Sequence, residues 1–429
     1  RFRSSSCVVI DQVGEQCVNK EELHGLLIDH LKYNILKIGK NLYLQKIGIC
    51  QGSVISPLLC SFYLGHLERD QIFPYLEGAD KQRNVTNMSK ELVVKSCMLA
   101  SKGSMLGPGS PGRPIKSKNY DTSCSGSSVI IDGVSSDTQH WCQDNHAMEV
   151  HNNGTEHDNL SSPKFLLVRW IDDFLFISTS LPQAHSFYER MKRGFGKYNC
   201  DMNKNKFGLN LGMEQSGIVV GMDGTKFLPW SGLLLNCDTL EIQADYTRYL
   251  GLSISSTITV ESIGFGLASL KAKLRDYMRP KCHPLFYDAS INSPKTVRVN
   301  AYQAFLLCAM KFHCYLHRIS NKIELHPCYL FEAIEQSFRF MYTLIGKQMH
   351  KMEACSSINP FLELKLEEMI WLGLSAYIWV LKKKQSRYRD LLSLLRCKIS
   401  VYGNMNHASD PLKYAIEDSH SSVFQCIRF

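Results

Sequence analysis

Two adjacent carboxylates, Asp172 and Asp173, stand in the middle of the apolar run that covers residues 165–178. Phe165-Leu166-Leu167-Val168 precedes them and Phe174-Leu175-Phe176-Ile177 follows. These flanks are rich in branched aliphatics and aromatics and short enough for strands, so the pair is expected at the tip of a tight hairpin. Two charges held side by side out of water cost several kcal/mol unless something neutralises them. A divalent cation does so directly, because hard carboxylate oxygens suit Mg²⁺ and hold it against phosphate oxygens. A water-facing Asp turn is the competing reading, since Asp favours turns, and this segment alone leaves both open.

A second segment bears on that choice. Gly48-Ile49-Cys50-Gln51-Gly52-Ser53 reads as a Gly-interrupted loop, and Pro57-Leu58-Leu59-Cys60-Ser61-Phe62 continues as a largely apolar helix. Gly52 lets a backbone approach a ligand closely, and Ser53 suits the cap of the helix that follows. Gln51, Gly52 and Ser53 together make a resting place for a nucleotide, although an ordinary capped helix reads the same way. A loop of this kind followed by an apolar-flanked Asp-Asp pair is a more specific combination, that of a polymerase palm.

The elements that must position these residues are legible in outline. Residues 1–76 read as strand, helix, strand, helix. Asn19 with Glu22 opens the first helix, Leu23, Leu26, Leu27, Leu31 and Ile35 form its apolar face, and residues 41–49 form a strand. From 77 to 163 Ser, Gly, Asn, Asp and Lys dominate, a composition that cannot offset its ordering entropy, so a disordered polar insertion is expected there. His140, Cys142, His146, His151 and His157 fall inside it at spacings that fit no closed zinc site. Within residues 164–246 a helix carries Phe187, Met191 and Phe195 on one face, and Lys204 and Lys206 follow. A hairpin of 218–220 with 233–235 is expected to present Trp230, Ser231 and Gly232, with Trp230 either against a ligand or as a structural plug. From 247 to 429 helical periodicity takes over, with Ser293-Pro294 opening a helix to about His317 and later helices near 331–345, 362–383 and 388–397. Arg275, Arg279, Lys281, Lys295, Arg298 and Lys311 give that region a basic face suited to a duplex backbone, unless it is simply a solvated helical face. Cys308, His313, Cys314 and His317 spread around an apolar helix and read as core.

On these residues the chain resembles the telomerase reverse transcriptase family. Gly-Ile-Cys-Gln-Gly-Ser, Ile171-Asp172-Asp173-Phe174, the stretch from Tyr198 to Lys206, and Trp230-Ser231-Gly232-Leu233-Leu234-Leu235 look like its motifs B, C, D and E. Leu240-Glu241-Ile242-Gln243-Ala244-Asp245-Tyr246 and Lys281-Cys282-His283-Pro284-Leu285-Phe286 are similar to its C-terminal thumb extension. The resemblance covers nearly the whole chain outside about 77–163. It implies an α+β fold, a partial reverse-transcriptase palm of antiparallel sheet and helices followed by an all-α thumb. It implies RNA-directed DNA polymerase activity that adds telomeric repeats to chromosome 3′ ends in the nucleus, with a telomerase RNA template, a single-stranded telomeric DNA primer, dNTPs and two Mg²⁺ ions. Asp172 and Asp173 would be metal ligands and Lys206 the group that protonates pyrophosphate. Gln51, Gly52 and Ser53 would line the nucleotide, Trp230, Ser231 and Gly232 would grip the primer, and Arg275, Arg279 and Lys281 would bind the nucleic acid.

Three departures from the family pattern stand out. Ser231 replaces a Cys, Cys50 replaces a Pro, and nothing matches motif A, whose Asp completes the metal site. The chain is therefore expected to be a C-terminal fragment, inactive alone. A mobile-element reverse transcriptase and a non-catalytic nucleic-acid-binding relict are the alternatives.

Composition agrees with that class. The 429 residues, 44% hydrophobic, suffice for more than one core, and a net charge of +9 suits a polyanion. No run reaches the ~20 apolar residues of a spanning helix, so no membrane partner is expected. The 16 cysteines are scattered without a Cys-x-x-Cys, which reads as a reducing compartment without a disulfide framework.

Overall fold

The computed structural model describes residues 19–46, 48–50, 52–76, 97–101, 165–203, 206–212, 214–259, 267–319, 325–355, 359–402 and 410–429. These fall into two compact units, one of residues 19–76 and 191–202 and the other of 97–101, 165–190 and 203–429.

In the first unit, α1 (Lys20–Lys32) starts where the cap signal placed it, with the Asn19 side chain accepting from the Glu22 amide at 2.6 Å. A hairpin follows, β1 (Ile35–Ile38) against β2 (Asn41–Leu44). Ile35 is thus the first residue of a strand rather than the end of a helical stripe, and the strand expected over 41–49 is the shorter β2. The Gly39 turn closes the ladder after four pairs. No residue of α1 is buried, and Leu23, Leu26 and Leu31 are exposed. Helix α2 (Ser56–Leu67) widens into a π-turn over Glu68–Ile72, and Leu64, Leu67, Ile72 and Leu76 are buried.

The second unit holds two antiparallel sheets. Its first sheet has the order β4 (Phe165–Trp170), β5 (Asp173–Ser178), β3 (Cys97–Ser101), β6 (Phe207–Leu211), β7 (Glu214–Ser216). The central position of β3 corrects the expectation of a disordered insertion over the whole of 77–163. Cys97–Ser101 pairs with β5 and its last four residues also pair with β6, and an average over a long polar segment conceals so short a strand. The rest of the stretch, its His and Cys residues included, lies outside the described residues. Helix α3 (Leu181–Lys192) covers one face of this sheet, where Phe176 stacks on Phe187 with ring centroids 4.2 Å apart.

The second sheet runs β11 (Ile242–Ala244), β10 (Leu233–Asn236), β9 (Lys226–Trp230), β8 (Val219–Val220). The hairpin around residue 231 is therefore formed by β9 and β10, and β8 pairs on the far side of β9. The sequence pattern missed β9 because Pro229 interrupts it. Proline is tolerated there by strand position, not by propensity.

The remaining described residues of the second unit are mainly helical. These helices are α4 (Leu267–Met278), α5 (Pro294–Ile319), α6 (Pro327–Cys355), α7 (Leu366–Lys382), α8 (Gln385–Val401), α9 (Asp410–Ala415) and α10 (Asp418–Cys426). The Ser293-Pro294 start is confirmed, with Ser293 Oγ accepting from the Thr296 amide at 3.4 Å. α5 is buried almost all round, its Arg298, Asn300 and Lys311 included. α6 and α7 approach closely at Gly373, where a Cβ would lie 2.7 Å from the Phe338 ring. No helix among the described residues is long and apolar enough to cross a membrane.

Of the four, Cys308, His313 and Cys314 belong to this core, whereas His317, also expected there, lies exposed near the end of α5 with its Nδ1 3.1 Å from Arg387 Nη1. Cys308 is fully buried, and His313 Nδ1 sits 2.9 Å from the Tyr388 hydroxyl. Desolvation, with Lys384 and Arg387 nearby, pulls the His313 pKa down to about 4. In the unfolded chain it returns to about 6.5, so the unfolded state binds the extra proton between those values. Stability from this group is therefore present above about pH 6.5 and lost as pH falls towards about 4, on the order of 2 kcal/mol after solvent screening. Urea unfolding at pH 7 and pH 5 should show the loss, and His313→Gln should flatten the dependence. An unchanged midpoint between those pH values in the parent would contradict it.

Candidate functional site

The carboxylate pair sits on the hairpin its flanks require. β4 and β5 pair from Phe165↔Ser178 to Trp170↔Asp173, which leaves Ile171 and Asp172 as a two-residue turn. Ile171 has φ +57°, a left-handed conformation that costs a β-branched residue on the order of 1–3 kcal/mol. Arg169 Nη1 donates to the Ile171 carbonyl at 2.8 Å and holds the turn. Strain of this kind persists only where the surroundings enforce it, and here it falls on the residue directly before the two acids. Both are half-buried. Alternation along β5 puts Asp173, Leu175 and Ile177 on one face and Phe174, Phe176 and Ser178 on the other. Leu175 packs with Leu228, Trp230 and Leu235, so Asp173 shares the face that turns towards the second sheet.

Lys206 comes to the same end of the sheet. Ser101 of β3 pairs with Phe174 on one side and Phe207 on the other, so residues 173 and 206 terminate neighbouring-but-one strands. Two strand spacings separate them, ~10 Å between backbones.

The β9–β10 hairpin closes through Ser231 and Gly232, with φ +46° and +82°, the geometry of a type I′ turn. Gly232 suits this turn by its backbone freedom. A Cβ there would meet nothing closer than Arg248 Nη1 at 3.9 Å. Trp230 is only 7% exposed and packs inside the cluster with Leu175. The flat side chain at the end of β9 alternates inward, in keeping with the structural-plug reading, and Ser231 and Gly232 form the surface of the turn.

In the first unit Gly52 has φ +89°, and Ser53 Oγ accepts from the Ile55 amide at 3.3 Å. Ser53 thus shapes the turn before α2 instead of occupying the cap position, which falls to Ile55. Gln51 lies outside the described residues. Sequence reasoning missed a polar cluster in this unit. Asp70 Oδ2 accepts from Lys197 Nζ at 2.7 Å and from the Tyr198 hydroxyl at 2.9 Å, and His66 Nδ1 lies 2.6 Å from that hydroxyl. The bond from Lys197 holds the Asp70 carboxyl well below the ordinary range. These partners lie 127 and more residues apart in the chain, which leaves no local signal.

The basic face is smaller than composition suggested. Arg275 and Arg279 are exposed and share the Phe340 ring, 5.6 and 5.7 Å from its centroid. Lys281 Nζ donates to the Tyr277 carbonyl at 2.8 Å. Arg298 and Lys311 are each only 5% exposed and do not belong to this face. The Arg298 guanidinium is paired with Glu368, and Lys311 Nζ lies 5.4 Å from the Tyr277 ring centroid. Lys295 is exposed at the start of α5, but most of that helix is buried and offers no continuous solvated stripe.

Among the described residues no three His, Cys, Asp or Glu side chains come together as a metal site. Asp172 and Asp173 are hard oxygen donors of the type Mg²⁺ takes, and they are two in number.

Residues 268–396 match the family model for "Telomerase reverse transcriptase, C-terminal extension". The chain is 42% identical over 435 aligned residues to the telomerase reverse transcriptase of Oryza sativa subsp. japonica, covering 100% of this chain and 28% of that protein. It is 38% identical to the Arabidopsis thaliana protein of that name, over 98% of this chain and 32% of the relative. With the Mus musculus protein identity is 26%, over 98% and 30%. The chain belongs to the telomerase reverse transcriptase family, and it spans about three tenths of the length of these relatives.

Proposed function

We propose that the chain is part of the catalytic subunit of a telomerase, an RNA-templated DNA polymerase that adds telomeric repeats to chromosome 3′ ends in the nucleus. The observation that carries this reading is the strained Ile171-Asp172-Asp173 tip in a chain similar along its whole length to telomerase reverse transcriptases. The two sheets act as palm and the helices as thumb. Asp172 and Asp173 hold part of the ligand set for two Mg²⁺ ions, which when bound activate the primer 3′-hydroxyl and stabilise the leaving pyrophosphate. Lys206, at the same sheet end, carries the proton for pyrophosphate. Gln51, Gly52 and Ser53 line the incoming dNTP, and the Ser231-Gly232 turn steadies the primer.

The test is templated extension of a single-stranded telomeric primer by the RNA-loaded polymerase that contains this chain. Extension should require the RNA, stop after RNase treatment and follow a change in the template. Extension that survives RNase overturns the reading.

Arg275, Arg279 and Lys281 take the phosphate backbone of the template–primer duplex. Reversing all three to Glu should weaken duplex binding and flatten the plot of log affinity against log salt by about 2–3 units, with little effect of sequence. An unchanged slope would mean that these side chains face only water.

A further inference from the structure

β11 is the edge strand of its sheet, and Ile242 on that edge has no strand partner on its outer side. Asparagine side chains take the partner's place. Asn292 Oδ1 accepts from the Ile242 amide at 2.7 Å, and Asn300 Nδ2 donates to the Ile242 carbonyl at 2.9 Å. Both are anchored in turn, Asn292 Nδ2 to the Leu285 carbonyl at 2.8 Å and Asn300 Nδ2 to the Phe286 carbonyl at 3.0 Å. Next along the chain, Glu241 accepts from the Ser293 amide at 3.0 Å and from the Thr296 hydroxyl at 2.5 Å. Asn292, Thr296 and Asn300 are 1%, 5% and 3% exposed, so water does not substitute for these bonds.

The edge strand leads straight to the grip turn. Ile242 pairs with Leu235 of β10, β10 begins at Leu233, and the Gly232 carbonyl accepts from the Asp245 amide at 2.9 Å. A continuous set of hydrogen bonds therefore runs from the start of α5, through Glu241 and Ile242, to the Ser231-Gly232 turn.

We propose that Glu241, Asn292, Thr296 and Asn300 are positioning residues that lock the Ser231-Gly232 turn to helix α5. The primer end and the duplex backbone are then held by one body through successive additions. The inference rests on the polymerase reading above. It goes beyond it by assigning primer retention, not nucleotide chemistry, to four residues that touch neither primer nor nucleotide.

Thr296→Val keeps the shape and removes the hydroxyl, Thr296→Ser restores it, and Asn292→Ala removes the Ile242 partner. Two readouts separate the outcomes. In the chain itself, hydrogen exchange at the Asp245 amide should accelerate about ten-fold in the Thr296→Val/Asn292→Ala variant and remain at the parent rate in Thr296→Ser. In the RNA-loaded polymerase the double variant should add about five-fold fewer nucleotides per primer-binding event, with the first-addition rate at saturating primer within about two-fold of the parent. Unchanged exchange at Asp245 overturns the lock. A parallel fall in first-addition rate and retention overturns its assignment to retention. Should the double variant fail to fold, Thr296→Val alone answers both questions. If the parent extends no primer while the exchange result holds, the polymerase reading fails and the lock stands.

Discussion

Replacing Asp172 by Ala should lower templated nucleotide addition by roughly 10³-fold, about 4 kcal/mol of transition-state stabilisation at 1.36 kcal/mol per tenfold. Asp172 is the second residue of a two-residue turn whose first residue is held at φ +57°. That strain aims the carboxylate, and a turn that merely faced water would relax it with Gly or Asn at the first position. The loss should be confined to activity. Asp172 is half-buried beside a second carboxylate, so removing one negative charge relieves repulsion at the tip and leaves the hairpin intact. The check is primer extension in the RNA-loaded polymerase together with the melting temperature of the variant. Near-parent extension returns the pair to an ordinary Asp turn. A fall in extension that tracks a fall in melting temperature would make Asp172 structural.

What the sequence made legible follows from how local each signal is. The Asp tip, the Asn19 cap and the Ser293-Pro294 start depend on neighbours within a few residues, and each is found where expected. The helices after residue 293 were found through their period, with ends misplaced by several residues. Elements whose identity depends on distant partners were not readable. β3 is a strand because β5 and β6 flank it, and its five residues were averaged into a polar stretch. Trp230 had two roles open until β9 and β10 fixed which way it points. Arg298 and Lys311 entered a basic face by residue type alone, although they lie on a helix with almost no exposed side. Within the candidate site, Asp172, Asp173, Lys206 and Gly232 were legible. The asparagines that grip Ile242 were not, since nothing local to Asn292 or Asn300 announces a backbone 50 or 58 residues away.

The same distance hides the pair with the largest expected effect on stability. Arg298 Nη2 donates to both oxygens of Glu368 at 2.8 Å, with side chains only 7% and 10% exposed. Glu368→Ala strands a buried guanidinium and should cost about 3–5 kcal/mol. The loss reaches further, because Glu368 Oε2 also accepts from the Lys365 amide at 2.9 Å and so closes the start of α7. Against a total stability of about 5–15 kcal/mol for a typical domain, this change should unfold much of the population at 37 °C. The sign reverses when both partners go. Arg298→Met with Glu368→Leu removes two desolvation penalties along with one attraction, and should fall close to the parent or above it. Urea unfolding of the single and double variants reads both directions. A single variant within about 1 kcal/mol of the parent would mean that water reaches the guanidinium. Arg298 lies between Thr296 and Asn300 on α5, and its pair with Glu368 joins that helix to α7. A variant that melts α7 should therefore loosen the Ser231-Gly232 turn as well, whereas the repacked double variant should keep the Asp245 amide as protected as in the parent.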